Sequence, residues 1–501
     1  MISDHRKASE GRTMQFLKLP DPNKHRHGSA EWTKATDDMR WFDDPILGNA
    51  IPLGLLRPGA DIGVKWNPQE LQGHGLCFAP NRTGKGTSVI IPALLTYAGS
   101  MFVIDPKGEN AWITAEFRRR MGDRVVILDP WNEVTRFAQQ NGVEHSTRFN
   151  PLSFIHRFVD GKPNPEFVDD IEALAAALVI TEPNASQPHF PDTARRFLAG
   201  LIALVKERYK GKATMRQVYD LATGEKSTWV ELLEEVHALY AEHGVVSAAN
   251  QKLRSFVDDD TKTAKDVHQT MLTQISFLGS PALLDSMEDD ANAFDLNSFS
   301  TSPTTVYVVI PSDKLDTHGR WLRLMIVLAL RAITRNKPAK VPVMMLIDEM
   351  GTIGPLQQLE AAYGLLAGYG VRIFGFFQSL SQLQTDYPKK WKMFFDNCSI
   401  VQVLGVRGEA KYFSEALGSR TLIDSEPRPE GGLWNDRTEY SGRPLMTEDE
   451  IRTELGADPK KLWRNKQLII KPQGGQKFLA LQNPYFRRNA WRGWYRPPPG
   501  F

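Results

Sequence analysis

The sequence predicts an α/β protein whose mostly parallel sheet is interrupted by an all-α insertion domain. Three observations carry this. Short apolar runs alternate with helical segments from Gly73 to Asp129, the stretch from about Asp169 to Ser300 has helical periodicity alone, and apolar runs return from Thr304 onward. Strand, helix, strand is the pattern of parallel strands joined by crossover helices.

Taken in order, residues 1–60 are polar, rich in His, Pro and Trp, and read as an extended N-terminal segment. Residues 61–182 hold the first part of the α/β domain. LCFA (Leu76 to Ala79) is a strand, NRTGKG a loop and TSVIIPALLTYA a helix. MFVID (Met101 to Asp105) and RVVILD (Arg124 to Asp129) are strands on either side of the helical AWITAEFRRRMG. Residues 183–300 are the all-α domain. DTARRFLAGLIALVKERY, MRQVYDLA and STWVELLEEVHALYAEHG space their apolar residues by three and four, as does DDIEALAAALVI just before them. Residues 301–483 resume the sheet with TTVYVVIP, VPVMMLID, VRIFGFF, SIVQVLGV, QLIIKP and KFLALQ. Residues 484–501 are a basic, aromatic tail.

At 501 residues the chain exceeds a single core. Its 61 basic and 59 acidic residues leave a net charge of +2, so no bulk basic footprint for nucleic acid exists and any such surface is local. The two cysteines, Cys77 and Cys398, lack metal-type spacing and read as buried thiols of a reducing compartment. The N-terminus has no apolar secretory core. No run reaches the ~18 to 20 apolar residues of a membrane helix; the nearest, Ser88 to Ile104, is broken by Pro92, Gly99 and Ser100. A cytoplasmic location is expected.

The candidate chemistry begins at Ala79-Pro80-Asn81-Arg82-Thr83-Gly84-Lys85-Gly86-Thr87, between a strand and a helix. Backbone N–H groups at a helix N-terminus converge on an anion there, and the helix dipole adds to the attraction. The expected phosphate contacts are Asn81, Arg82, Thr83, Gly84, Lys85, Gly86, Thr87 and Ser88. Gly84 and Gly86 permit close approach and Lys85 bridges the β- and γ-phosphates. Ala79 replaces the first glycine of G-x-x-x-x-G-K-[ST], and Gly86 occupies the hydroxyl position, which leaves Thr87, or a water, as the expected metal contact.

VPVMMLIDEM then ends an apolar strand in Asp348-Glu349. Asp348 is placed to hold magnesium and Glu349 to polarise the attacking water as general base. Either half alone is compatible with a Gly-rich turn or a solvated strand end. Both halves in this order specify an ATP and Mg2+ site. Gln378, at the tip of VRIFGFF, is positioned to sense the γ-phosphate.

These features together resemble the type IV coupling proteins, the TraG/TraD-like ATPases of conjugation and type IV secretion. APNRTGKGTSVIIPALL is similar to that family's variant Walker A, in which GKG is normal. IDPKGE, RFNPL, HFPDTARRFLAGLI, LIDEMGTIG, FFQSLSQL and DNCSIVQVLGV resemble further family motifs, as do HGSAEW near the start and SGRPLMTEDEI near the end. The likeness runs from about residue 27 to 486. It implies a RecA-like motor, typically a homo-hexamer, that receives DNA, relaxase–DNA or effector proteins and delivers them to a type IV secretion channel.

Lys85, Asp348, Glu349 and Gln378 carry over by position, while Asp105, Lys107 and Glu109 match a motif of unassigned role. Most members begin with transmembrane helices and this chain shows none, so docking at the cytoplasmic face of the inner membrane through a partner is expected. The other reading is a nucleotide-gated adaptor without motor activity. Relatives often place an arginine before Gly368-Tyr369-Gly370, where this chain has Ala367. Arg372 and Arg407 are therefore the candidates for the trans-acting, charge-stabilising arginine.

The tail PYFRRNAWRGWYRPPPGF interleaves four arginines with Trp491, Trp494 and Tyr495. That composition suits nucleic-acid contact, a protein interface, or an arm packed on a neighbouring domain or subunit. In the insertion, Lys252, Arg254, Lys262 and Lys265 alternate with Asp258 to Asp260 and read as a solvated face.

Overall fold

The computed structural model describes residues 25–33, 50–56, 63–68, 70, 73–137, 146–180, 189–242, 244–259, 261–289, 293–335, 339–406, 408–425, 438–472 and 475–499. They form two units. One comprises residues 33–409 and 452–501, the other residues 1–32 and 410–451.

The large unit is built on a sheet whose strands, in chain order, are β1 (Ile51–Leu55), β2 (Gly63–Trp66), β3 (His74–Phe78), β4 (Ser100–Asp105), β5 (Arg124–Leu128), β6 (Thr304–Val309), β7 (Val343–Ile347), β8 (Val371–Phe377), β9 (Cys398–Leu404), β10 (Lys466–Lys471) and β11 (Gln476–Leu481). Their spatial order is β2-β1-β11-β10-β9-β3-β8-β7-β4-β6-β5. The seven strands from β9 to β5 are parallel, and β10, β11, β1 and β2 extend one edge antiparallel. The central strands are buried along their whole length, which is why SMFVID, TTVYVV and VMMLI read as continuous apolar runs rather than alternating ones.

Strand β1 lies inside the stretch read as an extended lead-in. Its sequence, IPLGL, contains two strand-poor residues, and the register with β2 shifts between Pro52 and Gly54. A side chain at Gly54 would meet the Gln467 amide at 2.5 Å, so the residue that hides the strand from the sequence is the one that lets it pack.

Between β5 and β6 the described residues from Phe167 to Ser300 hold only helices and turns. The longest helix, His189–Tyr209, packs against Phe167–Leu178, Ala248–Val257 and Lys262–Ile275. Caps fit the sequence: Thr214 and Gln217 form a capping box before Met215–Thr223, and Ser247 accepts from the Asn250 N–H. Buried Glu207, on the long helix, accepts from the N–H groups of Ala248 and Ala249 and from Ser247 Oγ. Asp170 is buried and pairs with Arg331 and Arg335, joining Phe167–Leu178 to the helix Leu315–Arg335 that follows β6.

The small unit is a hairpin of Ser419–Ser425 with Thr438–Pro444, preceded by the helix Ala410–Leu417. Ser29 bridges Arg420 within it. Gly28, at φ +130°, approaches so closely that a side chain there would lie 2.2 Å from the Ser419 carbonyl oxygen.

Asp386 ends the helix Leu380–Asp386 with one carboxylate oxygen buried and without a hydrogen-bond partner. Burial pushes its pKa up to about 6. A raised carboxylate destabilises the fold above that value, and the effect vanishes below the ordinary value of 3.8, where both states are protonated. Asp386→Asn should therefore stabilise the protein at pH 7.5, by about 1 kcal/mol once solvent screening of this partly exposed group is allowed for. Thermal melts of variant and wild type should converge by pH 4.

Candidate active site

Strands β3, β8, β7 and β4 are consecutive and parallel, so their C-terminal ends open on one edge, where ligands of open α/β sheets bind. The register aligns Phe377 with Phe78, Gly375 with Ile347, and Ile104 with Ile347. Residues immediately past these positions converge. Ala79 begins the loop after β3, Asp348 and Glu349 follow β7, Gln378 follows β8 and Asp105 ends β4.

The loop is fixed by its own backbone. Ala79 N donates to Phe377 O at 2.8 Å, and the Thr83 hydroxyl donates to Pro80 O at 2.7 Å. Arg82 adopts φ +65°, a left-handed conformation that costs energy for a residue with a side chain, and strain of this kind clusters at ligand sites. Gly84 is at φ +97°, and a side chain there would strike the Gln482 amide at 2.3 Å. At Gly86 a side chain would meet nothing within 4 Å, leaving open space beside Lys85. The helix that follows starts with a π-wound turn, Gly86–Ile90, and continues as α1 (Ile91–Thr96). Pro92 explains the wider turn, because it has no N–H to give Ser88 and its ring would crowd that carbonyl in regular α geometry.

Lys85 Nζ lies 2.6 Å from Asp348 Oδ1 and 2.6 Å from Glu349 Oε1. The other Glu349 oxygen accepts from Gln378 Nε2 at 2.9 Å. Glu349 sits at φ +58°, a second left-handed residue in the same cluster, with its N–H donated to Asp348 Oδ1 at 3.0 Å. Gln378 N donates to Gln382 Oε1 at 2.8 Å, so the second glutamine of FFQSLSQ orients the first.

The electrostatics follow from burial and this shared lysine. Burial lowers the Lys85 pKa, but the two carboxylates outweigh it and hold the ammonium above its ordinary value. For Asp348, nearly enclosed, burial dominates and the pKa rises despite Lys85. For Glu349 burial acts upward too, but Lys85, Gln378 and Lys107 together hold it below the ordinary carboxylate value. One lysine thus serves two acids whose pKa values move in opposite directions. Asp105 is buried beside Asp348 and pushed up to about 7 by burial, against the hydrogen bond from Ala111 N at 2.8 Å. That bond holds the first turn of α2 (Glu109–Arg120).

A cleft of about 690 Å³ opens on these groups, lined by Asn81, Arg82, Gly84, Lys85, Gly86 and Thr87 from the loop. Asp105, Lys107, Glu109, Asp348, Glu349 and Gln378 line the remainder with others. Asp348 and Thr87 present hard oxygen donors, the set that suits Mg2+ with water and phosphate completing its shell. The open space at Gly86 and the lysine on the carboxylates fit a triphosphate.

Two residues expected in the loop stand behind it. Thr83 is buried, turned to Pro80 and packed against Gly405, and Ser88 is buried within the helix near Gln482. Arg372 requires a correction. It sits near the start of β8, six residues before Gln378 and so about 20 Å along an extended strand. Its guanidinium is buried, donating to the carbonyls of Pro68 at 2.7 Å, Ala367 at 2.5 Å and Val371 at 3.0 Å. Such a group has nothing to offer a neighbouring subunit. Arg407 lies outside the described residues. Gln482 was missed by sequence reasoning, since a glutamine ending the last strand carries no motif.

The family profile described as "Type IV secretory system Conjugative DNA transfer" matches residues 37–471. The chain belongs to this family. Its relatives include protein VirD4 of Rhizobium rhizogenes, 26% identical over 451 residues that cover 86% of this chain and 62% of that protein. Conjugal transfer protein TraG of Rhizobium radiobacter is 27% identical over 501 residues, covering 92% of this chain and 73% of its own. This family member thus spans about three fifths of the length of the VirD4 relatives. Among solved structures, the bacterial conjugative coupling protein TrwBdeltaN70 in its unbound monoclinic form superposes with a TM-score of 0.63 at 15% identity, covering 84% of this chain and 87% of its own. TrwB in complex with ADP and Mg2+ gives 0.61 at 16% identity, with the same coverage. The fold of this family member is therefore that of TrwB, a large and mostly parallel sheet flanked by helices. No helix among its described residues is long and apolar enough to cross a membrane.

The C-terminal tail packs on its own chain. Phe117 stacks on Trp494 at 4.6 Å, Trp112 Nε1 donates to Pro497 O at 2.9 Å, and Arg496 N donates to Ile113 O at 3.0 Å. The element that the tail meets is thus α2, within its own unit.

Proposed function

We propose that this chain is a Mg2+-dependent ATPase coupling protein that recruits DNA, relaxase–DNA or effector proteins and drives them into a type IV secretion channel. The observation that carries this reading is the convergence of Lys85, Asp348, Glu349 and Gln378 on one cleft. Thr87 and Asp348 would hold Mg2+, which supplies charge neutralisation to the β- and γ-phosphates when bound. Lys85 exchanges its carboxylates for the phosphates. Glu349, released from Lys85 and already ionised, accepts the proton of the attacking water, and Gln378 keeps its carboxylate aimed. The loop N–H groups hold the phosphates at the start of the helix.

The family profile and the names of the VirD4 and TraG relatives support a place in conjugative transfer. We assign residues 61–182 and 301–483 to the motor, 183–300 to an all-α insertion that meets substrate, and 484–501 to the tail. A homo-hexamer at the cytoplasmic face of the inner membrane, held by a secretion-system partner, completes the proposal.

The test is ATP turnover across a protein concentration series, with and without DNA. Turnover per chain should rise with concentration and with DNA, and Glu349→Gln should lower it by a factor on the order of 100 or more. Tight nucleotide binding with no turnover under any condition would refute the motor.

A further inference from the structure

Resting on the nucleotide reading of the cleft, we propose that Lys107 is the group that distinguishes a triphosphate from a diphosphate there, contacting the γ-phosphate from within the same chain. Arg372 is buried on backbone carbonyls and cannot do this. The cations lining the cleft among the described residues are Arg82, Lys85 and Lys107.

The place of Lys107 follows from strand order. The phosphate loop leaves β3, Gln378 leaves β8, the acid pair leaves β7, and Lys107 follows β4, the next strand out. It therefore flanks the acid pair on the side away from the loop. The attacking water must lie between Glu349 and the terminal phosphate, so a cation beside Glu349 is at the γ end. Its charge already acts on the Glu349 carboxylate.

The backbone beneath it is fixed and the side chain is free. Gly108 N donates to Asp105 O at 3.3 Å, and Gly108 itself is at φ +70°, where a side chain would lie 2.9 Å from Val134. Asp105 ties the first turn of α2 through Ala111, and the tail clamps the outer face of the same helix through Trp494, Arg496 and Pro497. Lys107 itself is exposed, and among the described residues its ammonium has no hydrogen bond or ion pair. An exposed cation on a hydrogen-bonded loop reaches an added phosphate without unmaking any hydrogen bond or ion pair.

Calorimetric titration with Mg2+–ADP and with Mg2+ plus a slowly hydrolysed ATP analogue tests this on the full chain. Lys107→Ala should keep ADP affinity within about twofold and weaken the analogue by about tenfold or more, the worth of one charge-assisted contact. Lys107→Arg should restore part of the difference, and Arg82→Ala should leave the ratio of the two affinities unchanged. Equal losses for both nucleotides, no loss for either, or a ratio set by Arg82 instead would overturn the role of Lys107. A variant that shifts only the pH profile of turnover would make Lys107 a partner of Glu349 and overturn it equally. If the wild-type chain binds neither nucleotide, the functional reading itself fails, a result distinct from all of these.

Discussion

Lys85→Ala should raise the dissociation constant for Mg2+–ATP at least about 100-fold, a loss near 2.7 kcal/mol, because a charge-assisted phosphate contact goes and nothing adjacent replaces it. The same substitution should weaken the nucleotide-free protein. Lys85 is the common counterion of Asp348 and Glu349, both mostly enclosed, so its removal leaves two carboxylates facing one another in a poorly solvated cleft. The pH signature separates the two effects. Glu349 has a lowered pKa in the folded state, so its ion pair contributes stability that is present above its ordinary value of 4.5 and is lost as pH falls through the lower folded value. In Lys85→Ala that contribution is absent throughout, and the gap between variant and wild type should close in acid. Thermal melts from pH 3 to pH 8 check this. A constant gap across the range would mean that the loss comes from packing instead.

Arg118→Met should be the most destabilising single change away from the cleft, at about 3–5 kcal/mol. Arg118 is fully buried on α2. Its guanidinium donates to Asp123, to Thr305 on β6, and to the carbonyls of Leu94 in α1 and of Tyr97 and Gly99 just after it. Methionine fills similar volume but leaves a buried carboxylate and three carbonyls unanswered. Adding Asp123→Asn should recover part of the loss, because the uncompensated charge is its largest component. Denaturant unfolding of the single and double variants measures both, and additive losses would show that the pair acts independently.

Much of the site was legible because phosphate chemistry leaves few choices. A glycine-flanked lysine between a strand and a helix, and an acid pair ending a continuous apolar strand, each name their neighbours, and the parallel sheet brings them within 2.6 Å. Arg372 misled because proximity to Gly370 in sequence says nothing about which end of a strand faces the ligand. Thr83 and Ser88 turn their side chains into the protein, a detail of orientation that the loop's sequence does not carry. Gln482 was invisible, since a side chain that braces a loop from a distant part of the chain has no local pattern. In the fold, β1 escaped behind Pro52 and Gly54, and the unit of residues 410–451 escaped because SRTLIDS and TEYSGRP are polar hairpin strands with little apolar alternation.

The strand order also governs how the protein can be made. β3, which launches the phosphate loop, takes its two neighbours, β8 and β9, from beyond residue 370. On the ribosome, everything up to residue 370 emerges with β3 exposing two unsatisfied edges and an apolar ladder. Loop and lysine are therefore synthesised early but seated late. Nascent chains of this protein must be shielded until the last quarter arrives, and a fragment ending before Val371 holds a complete phosphate-loop sequence with neither of the strands that seat β3.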